Sequence, residues 1–397
     1  MAYAHSLAVT LAAAGLTVFA PAYAMTDQAL AGMVKQRLQG DRTGACMAVA
    51  VVEAGTVART YQCADARDLS RIGPDSAFEI GSVSKTMTAE LLADLIAQSK
   101  GSLDDPLSAW LPDGTKLPDY QGTPILLRHI VTHTSGLPAL PSRMGAADMT
   151  DPYAKLDETA LLASLGDVTL TAAPGTKFEY SNFASMVLSY AVARRAGADM
   201  ETLLKQRLFA PLGMRHAYVN TAPDGVRAAV GHTPNARVTS AWHFQTNLAG
   251  VGGVRATLDD MVRYVQGQLG AGATPISAAL QRSQQKLSDA PPMAMNWMLM
   301  PVGGRTVHVH EGGTGGFSSF VSFDIEKQRG VVILSDTTWN SIGSLGSLGL
   351  HLVDASFPLG APRREARPDG MLLDALAGEY ELAGGMKMTL RRTGDAL

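Results

Sequence analysis

Several things are scarce in this 397-residue chain, and each scarcity excludes something. Lys and Arg are scattered rather than clustered and the formal net charge is −3, so there is no basic patch to hold nucleic acid. Beyond the first two dozen residues, no stretch is long and apolar enough to span a bilayer. No internal repeat is visible, which sets aside solenoids and propellers. There are only two cysteines and neither adjoins residue 24, so lipid anchoring is not indicated there.

The first residues read as an export signal. Leu7 to Phe19 is an apolar run too short to cross a membrane, and Ala22-Tyr23-Ala24 supplies the small-x-small cleavage pattern. The pattern departs from the usual one in its front end, because no Lys or Arg precedes Lys35. The mature chain is then expected from Met25 onward, in the periplasm, without an integral membrane segment.

Cysteine geometry agrees with export. Met47 to Val52 and Thr56 to Gln62 read as two strands around Glu53-Ala54-Gly55. A two-residue loop pairs Glu53 with Thr56, and counting outward puts Cys46 opposite Cys63 at a non-hydrogen-bonded position, where side chains approach most closely. A disulfide is expected. The alternative is two inert buried thiols, and a one-residue slip would put them on opposite faces.

Ordinary globular composition (46% hydrophobic, 17% charged) leaves ample material for a core. A short helix is expected from about Asp27 to Leu38, then the hairpin, then a helix from Thr86 to Gln98 with Met87, Leu91, Leu92, Leu95 and Ile96 on one face. Helices and loops follow from Asp104 to about Met214, including Ile125 to Thr132 and a helix from Asn182 ending at Gly197. Gly250 to Gly253 reads as a flexible approach to a helix over Leu258–Leu269. Strands return at Thr306–His310, Phe317–Phe323 and Val331–Leu334, before a last helix near Leu345–Ala355. Strands at both ends with helices between them point to an α/β (α+β) protein: one antiparallel sheet from residues 25–103 and 241–360, with a helical part at 104–240. Residues 361–397 read as a linker, Pro362 to Pro368, and two short strands, Glu379–Leu382 and Lys387–Arg391. Those strands either dock on the main body or open a further β domain.

Chemistry concentrates in Phe78-Glu79-Ile80-Gly81-Ser82-Val83-Ser84-Lys85. If the helix begins near Ser82, the serine hydroxyl and the Lys85 amine lie one turn apart on one face. Serine is a weak nucleophile until its proton is removed, and an amine kept neutral by desolvation can remove it. The helix start also favours developing negative charge. Downstream, Tyr180-Ser181-Asn182 lies in a helix-entry loop, where a phenol can relay protons and an amide can hold both lysine and substrate; Asn182 as a plain helix cap is the simpler reading. His310-Glu311-Gly312-Gly313 closes a strand whose glycines allow close approach of a substrate and offer N–H groups to an oxyanion. His308 and His310 share a face but lack a third ligand, so no metal is expected. His129 and His133 read as structural turn residues.

In that order, Ser82-x-x-Lys85, Tyr180-x-Asn182 and His310-x-Gly312 resemble the serine β-lactamase and penicillin-binding protein superfamily, in its class C branch, near the periplasmic D,D-carboxypeptidase/endopeptidases. Met47 to Val51, Thr132 to Pro138 and Pro211 to Met214 add to the likeness, which covers roughly residues 27 to 360. The resemblance implies Ser82 as acylated nucleophile and Lys85 with Tyr180 as proton carriers. Asn182 would bind the substrate's acylamide side chain and Lys85, with Ser82 and Gly313 N–H groups as the oxyanion site. It implies no cofactor, a monomer, and a small-molecule β-lactam or a peptidoglycan peptide as substrate.

One departure stands out: the third motif is His-Glu-Gly rather than Lys-Thr-Gly. If Glu311 faced the cleft, it would repel a substrate carboxylate, and His310 is charged only below about pH 6.5 unless perturbed. Three readings follow: a β-lactamase or D,D-peptidase, a family VIII-type carboxylesterase on the same scaffold, and a sensor that stays acylated. Gly-x-Ser-x-Gly occurs nowhere, so esterase activity would also need Ser82.

Overall fold

The structure, a computed structural model, describes residues 24–397 except 54, 146–147, 149, 339–344, 363–368 and 382–386. The expected export segment, Ala24 apart, and most of the expected linker lie outside the described residues.

An eight-stranded antiparallel sheet organises the chain. Its main strands are β1 (Cys46–Glu53), β2 (Thr56–Cys63), β4 (Met298–Val302), β5 (Arg305–Gly313), β6 (Ser318–Asp324) and β7 (Arg329–Ser335), in the order β2-β1-β7-β6-β5-β4. Two two-residue strands, Pro292–Met293 and Ser288–Asp289, extend the edge beyond β4. A separate strand, β3 (Ser76–Glu79), pairs with Arg255–Ala256 and Arg227–Ala228 and leads into the nucleophile.

Alternation along the strands builds two cores. Met47, Val49 and Val51 of β1 face helices α1 (Asp27–Leu38) and α5 (Leu345–Val353), whereas Ala48, Ala50 and Val52 face the helical side of the molecule. There lie α2 (Ser84–Ala97), α3 (Asn182–Ala196) and α4 (Leu258–Gln268). Ser181 caps α3 by accepting from Ala184 N–H, and Gly197 at φ +73° ends it, each residue doing what its chemistry favours.

The hairpin has the expected register: Glu53 opposes Thr56 and Cys46 opposes Cys63. Because Ala64 N–H donates to Ala45 C=O, the neighbouring Cys46–Cys63 pair is of the non-hydrogen-bonded kind. The two are joined as a disulfide with Cα atoms 3.9 Å apart.

Three expectations need correction. The helix after Ser82 is not amphipathic but central, with every residue from Ser84 to Leu95 buried. Its polar residues are absorbed by hydrogen bonds, such as Thr86 to Tyr264 and Asp94 to Arg207. Gly250 to Gly253 is packed rather than loose: Thr246–Val251 forms a 3-10 turn, and a Cβ on Gly250 would come within 2.3 Å of the Thr88 hydroxyl. In the tail, the strands Gly378–Glu381 and Lys387–Leu390 pair with each other, preceded by an unexpected helix, Gly370–Leu376. Among the described residues no helix is long and apolar enough to cross a membrane.

Candidate active site

β3 delivers the chain to a turn at the sheet's edge. Gly81 stands there at φ +51°, and a Cβ on it would lie 2.5 Å from Gly313 N, so this approach requires glycine. Ser82 sits in the 3-10 turn Gly81–Val83, just ahead of α2, and Lys85 is in the first turn of α2. Lys85 Nζ lies 2.8 Å from Ser82 Oγ and donates to Val251 C=O at 2.8 Å. The amine is 1% exposed with no carboxylate among its partners, and burial holds its pKa well below the ordinary lysine value. A neutral amine that donates to Val251 keeps its lone pair for the Ser82 proton.

Tyr180 hydrogen-bonds with the Ser82 side chain, and its ring centroid is 5.1 Å from Lys85 Nζ. Although the residue is 39% exposed overall, desolvation of the phenol pushes its pKa up to about 12, so it rests protonated. Ser181, not Asn182, is the helix cap, which frees the Asn182 amide for the cleft. That amide donates to Tyr153 Oη at 3.2 Å and leaves its own oxygen unpartnered. The expected Asn182–Lys85 bond is absent here: the amide meets Tyr153, and the amine meets Ser82 and Val251. His129 accepts from Leu126 N–H and belongs to a turn. His133 does not fit the turn reading alone, since its ring lies on Tyr180.

β5 brings the third element. Gly312 packs so closely that a Cβ would sit 2.0 Å from Ile80 O and 3.0 Å from Ser82 N. Thr314 N–H donates to Phe317 C=O, so the adjacent Gly313–Ser318 pair is non-hydrogen-bonded, and Gly313 N–H points away from β6 toward the Gly81–Ser82 turn. Ser82 and Gly313 line one pocket with Asn182. His310 is 6% exposed, and burial brings its pKa down to about 3. Its Nδ1–H donates to Glu311 C=O at 2.7 Å, which leaves Nε2 of the neutral ring as an acceptor. Glu311 alternates to the opposite face, opposite Phe320 and against Gly346 of α5, so the supposed repulsion in the cleft does not arise. His308 stacks on Phe323 and its Nε2 meets Gln284 C=O, away from the nucleophile.

Some of the site was not foreseen. Tyr153, Trp242 and Phe244 wall the cavity, with Tyr153 stacked on Phe244 at 4.8 Å. Behind them a buried ion pair, Arg255–Glu79, holds the wall: Glu79 accepts from Trp242 N–H, and Arg255 donates to Trp242 C=O. The only advance signal was compositional, two large aromatics around His243 in a chain that is 6% aromatic.

Several known proteins resemble this chain. A family model described as Beta-lactamase matches residues 29–340. The D-alanyl-D-alanine-carboxypeptidase/endopeptidase AmpH of Escherichia coli (strain K12) is 30% identical over 312 residues, covering 72% of this chain and 78% of that protein. A beta-lactamase of the same strain is 27% identical over 339 residues, covering 74% and 84%. Among solved structures, a D-alanine carboxypeptidase AmpC from Burkholderia cenocepacia superposes with a TM-score of 0.69 at 24% identity, over 83% of this chain and 99% of that one.

Proposed function

The chain belongs to the beta-lactamase family and is a serine hydrolase, and from that premise we propose that it is an exported, periplasmic enzyme that opens amides of the D-Ala peptide or β-lactam type through an acyl-enzyme on Ser82. The observation that carries this reading is the buried Lys85 amine, 2.8 Å from Ser82 Oγ without a counter-charge. Lys85 takes the serine proton as Ser82 attacks the carbonyl. Tyr180 gives its proton to the departing nitrogen and is reprotonated by the proton that Lys85 took from Ser82. The N–H groups of Ser82 and Gly313 receive the oxyanion, where one donor is worth about 2.7–4 kcal/mol. Asn182, with its free oxygen, meets the amide of the acyl side chain, and water then releases the acyl group.

A carboxylesterase is the second reading, favoured by one observation. His310 is neutral, so the third motif supplies no cation for a substrate carboxylate. A stopped-flow course with a chromogenic cephalosporin, run beside Ser82→Ala, separates the cases. Sustained Ser82-dependent turnover marks a β-lactamase, and a one-equivalent burst marks a peptidase that deacylates slowly. No reaction with the cephalosporin, alongside Ser82-dependent hydrolysis of a p-nitrophenyl ester, moves the assignment to the esterase.

A further inference from the structure

Resting on the reading of Ser82, Lys85 and Tyr180 as the acyl-transfer set, we infer that His133 is a positioning residue for Tyr180: it grips the chain on both sides of the tyrosine and lays its ring on the phenol. Its main-chain carbonyl accepts from Glu179 N–H at 2.7 Å, and its Nδ1 accepts from Ser181 N–H at 3.3 Å. The residue between those two donors is Tyr180, and the rings of His133 and Tyr180 stand 4.3 Å apart at 32°. Phe178 meets the imidazole edge-on at 6.1 Å.

To do this His133 adopts φ +53°, a left-handed conformation that a histidine takes at a cost, and it is 1% exposed. Ser181, held by the same imidazole, caps the helix that carries Asn182, so one side chain fixes the segment that bears both Tyr180 and Asn182. With Nδ1 accepting, the neutral ring carries its proton on Nε2, which has no partner among the described residues. Lys85 and His310 are the titratable groups that face it, and burial keeps it uncharged, with a pKa of about 3. A residue needed only to turn the chain would require none of this ring contact.

The test is a double-mutant cycle read as the rate of Ser82 acylation by a fluorescent penicillin. Asn tolerates the left-handed backbone and can accept from Ser181 N–H, but it cannot cover the phenol. His133→Asn should therefore fold, and should slow acylation about 10- to 100-fold with little change in the half-saturating concentration. In a Tyr180→Phe background the same change should slow it no further. An equal further loss there overturns the proposal. If His133→Asn fails to fold, His133→Gln takes its place. Alongside, NMR titration of 13C-tyrosine-labelled enzyme reads Tyr180 directly. Loss of the imidazole should bring its midpoint from about 12 toward the ordinary value near 10, and an unmoved midpoint overturns the positioning role. A wild-type enzyme that forms no Ser82 adduct with the penicillin or with a p-nitrophenyl ester refutes the functional reading, while the titration still decides the role of His133.

Discussion

Lys85 and Glu90 stand five residues apart on one helix, both fully enclosed, and neither has a charged partner to offset burial. Burial pushes them in opposite directions toward the same neutral state: the amine pKa far down, the carboxyl up to about 8. What differs is the surroundings. Lys85 looks past Ser82 into a cavity, so its lone pair has a proton to take. Glu90 is enclosed by Tyr264 Oη at 2.6 Å and Gln268 Nε2 at 2.5 Å, so it serves only the core. One buried helix thus produces a base at its solvent-facing end and a structural acid farther in. A third enclosed charge, Glu79, shows the other solution, for it is paired with Arg255 at 3.2 Å. An unpaired buried ionisable group beside a cavity marks chemistry, and a paired one marks architecture.

The largest expected break comes from Lys85→Met. Ser82 acylation should fall by roughly 10²- to 10⁴-fold, the range for losing a positioned base. The folded protein should melt higher at pH 7, because an amine whose pKa is lowered by folding costs stability at every pH below its unfolded value. Arg255→Ala should remove about 3–5 kcal/mol of stability by leaving the Glu79 carboxylate buried and alone, measured by denaturant unfolding. Glu90→Gln should leave acylation within about twofold, since general core effects off the site are small. Its signature lies in stability against pH. The folded carboxyl titrates near 8 and the unfolded one near 4.5, so its contribution is fully present below about 4.5 and is lost as pH rises through about 8. Wild-type melting temperature should fall across that window, and the Gln variant should flatten the fall. Smallest of all, His310→Gln should not move the acid limb of the pH–rate profile between pH 5 and 8, because the imidazole is already neutral there with its pKa near 3.

The hairpin and the three motifs were legible because each is a local pattern with a fixed geometric consequence. The two-residue turn sets the Cys46–Cys63 register, and the i, i+3 spacing of Ser82 and Lys85 places them one turn apart. The role of the 84–95 helix was not legible, since a helix buried on every side still carries Thr86, Thr88, Glu90 and Asp94, and only tertiary partners such as Tyr264 and Arg207 reveal why. The face chosen by Glu311 depended on how β5 lies between the two cores. Tyr153, Trp242 and Phe244 come from segments without regular structure that meet only in the folded cleft, and no spacing rule joins residues 153 and 242.

The central claim is that Lys85 is an uncharged amine in the resting enzyme, poised on Ser82. It is tested most directly by following the Lys85 side-chain signal of 15N,13C-lysine-labelled protein by NMR across the pH range, with Lys85→Met to assign it. Titration with a midpoint far below the ordinary lysine value near 10.4 is the predicted result. A Lys85 that stays protonated until about pH 10 would contradict the account.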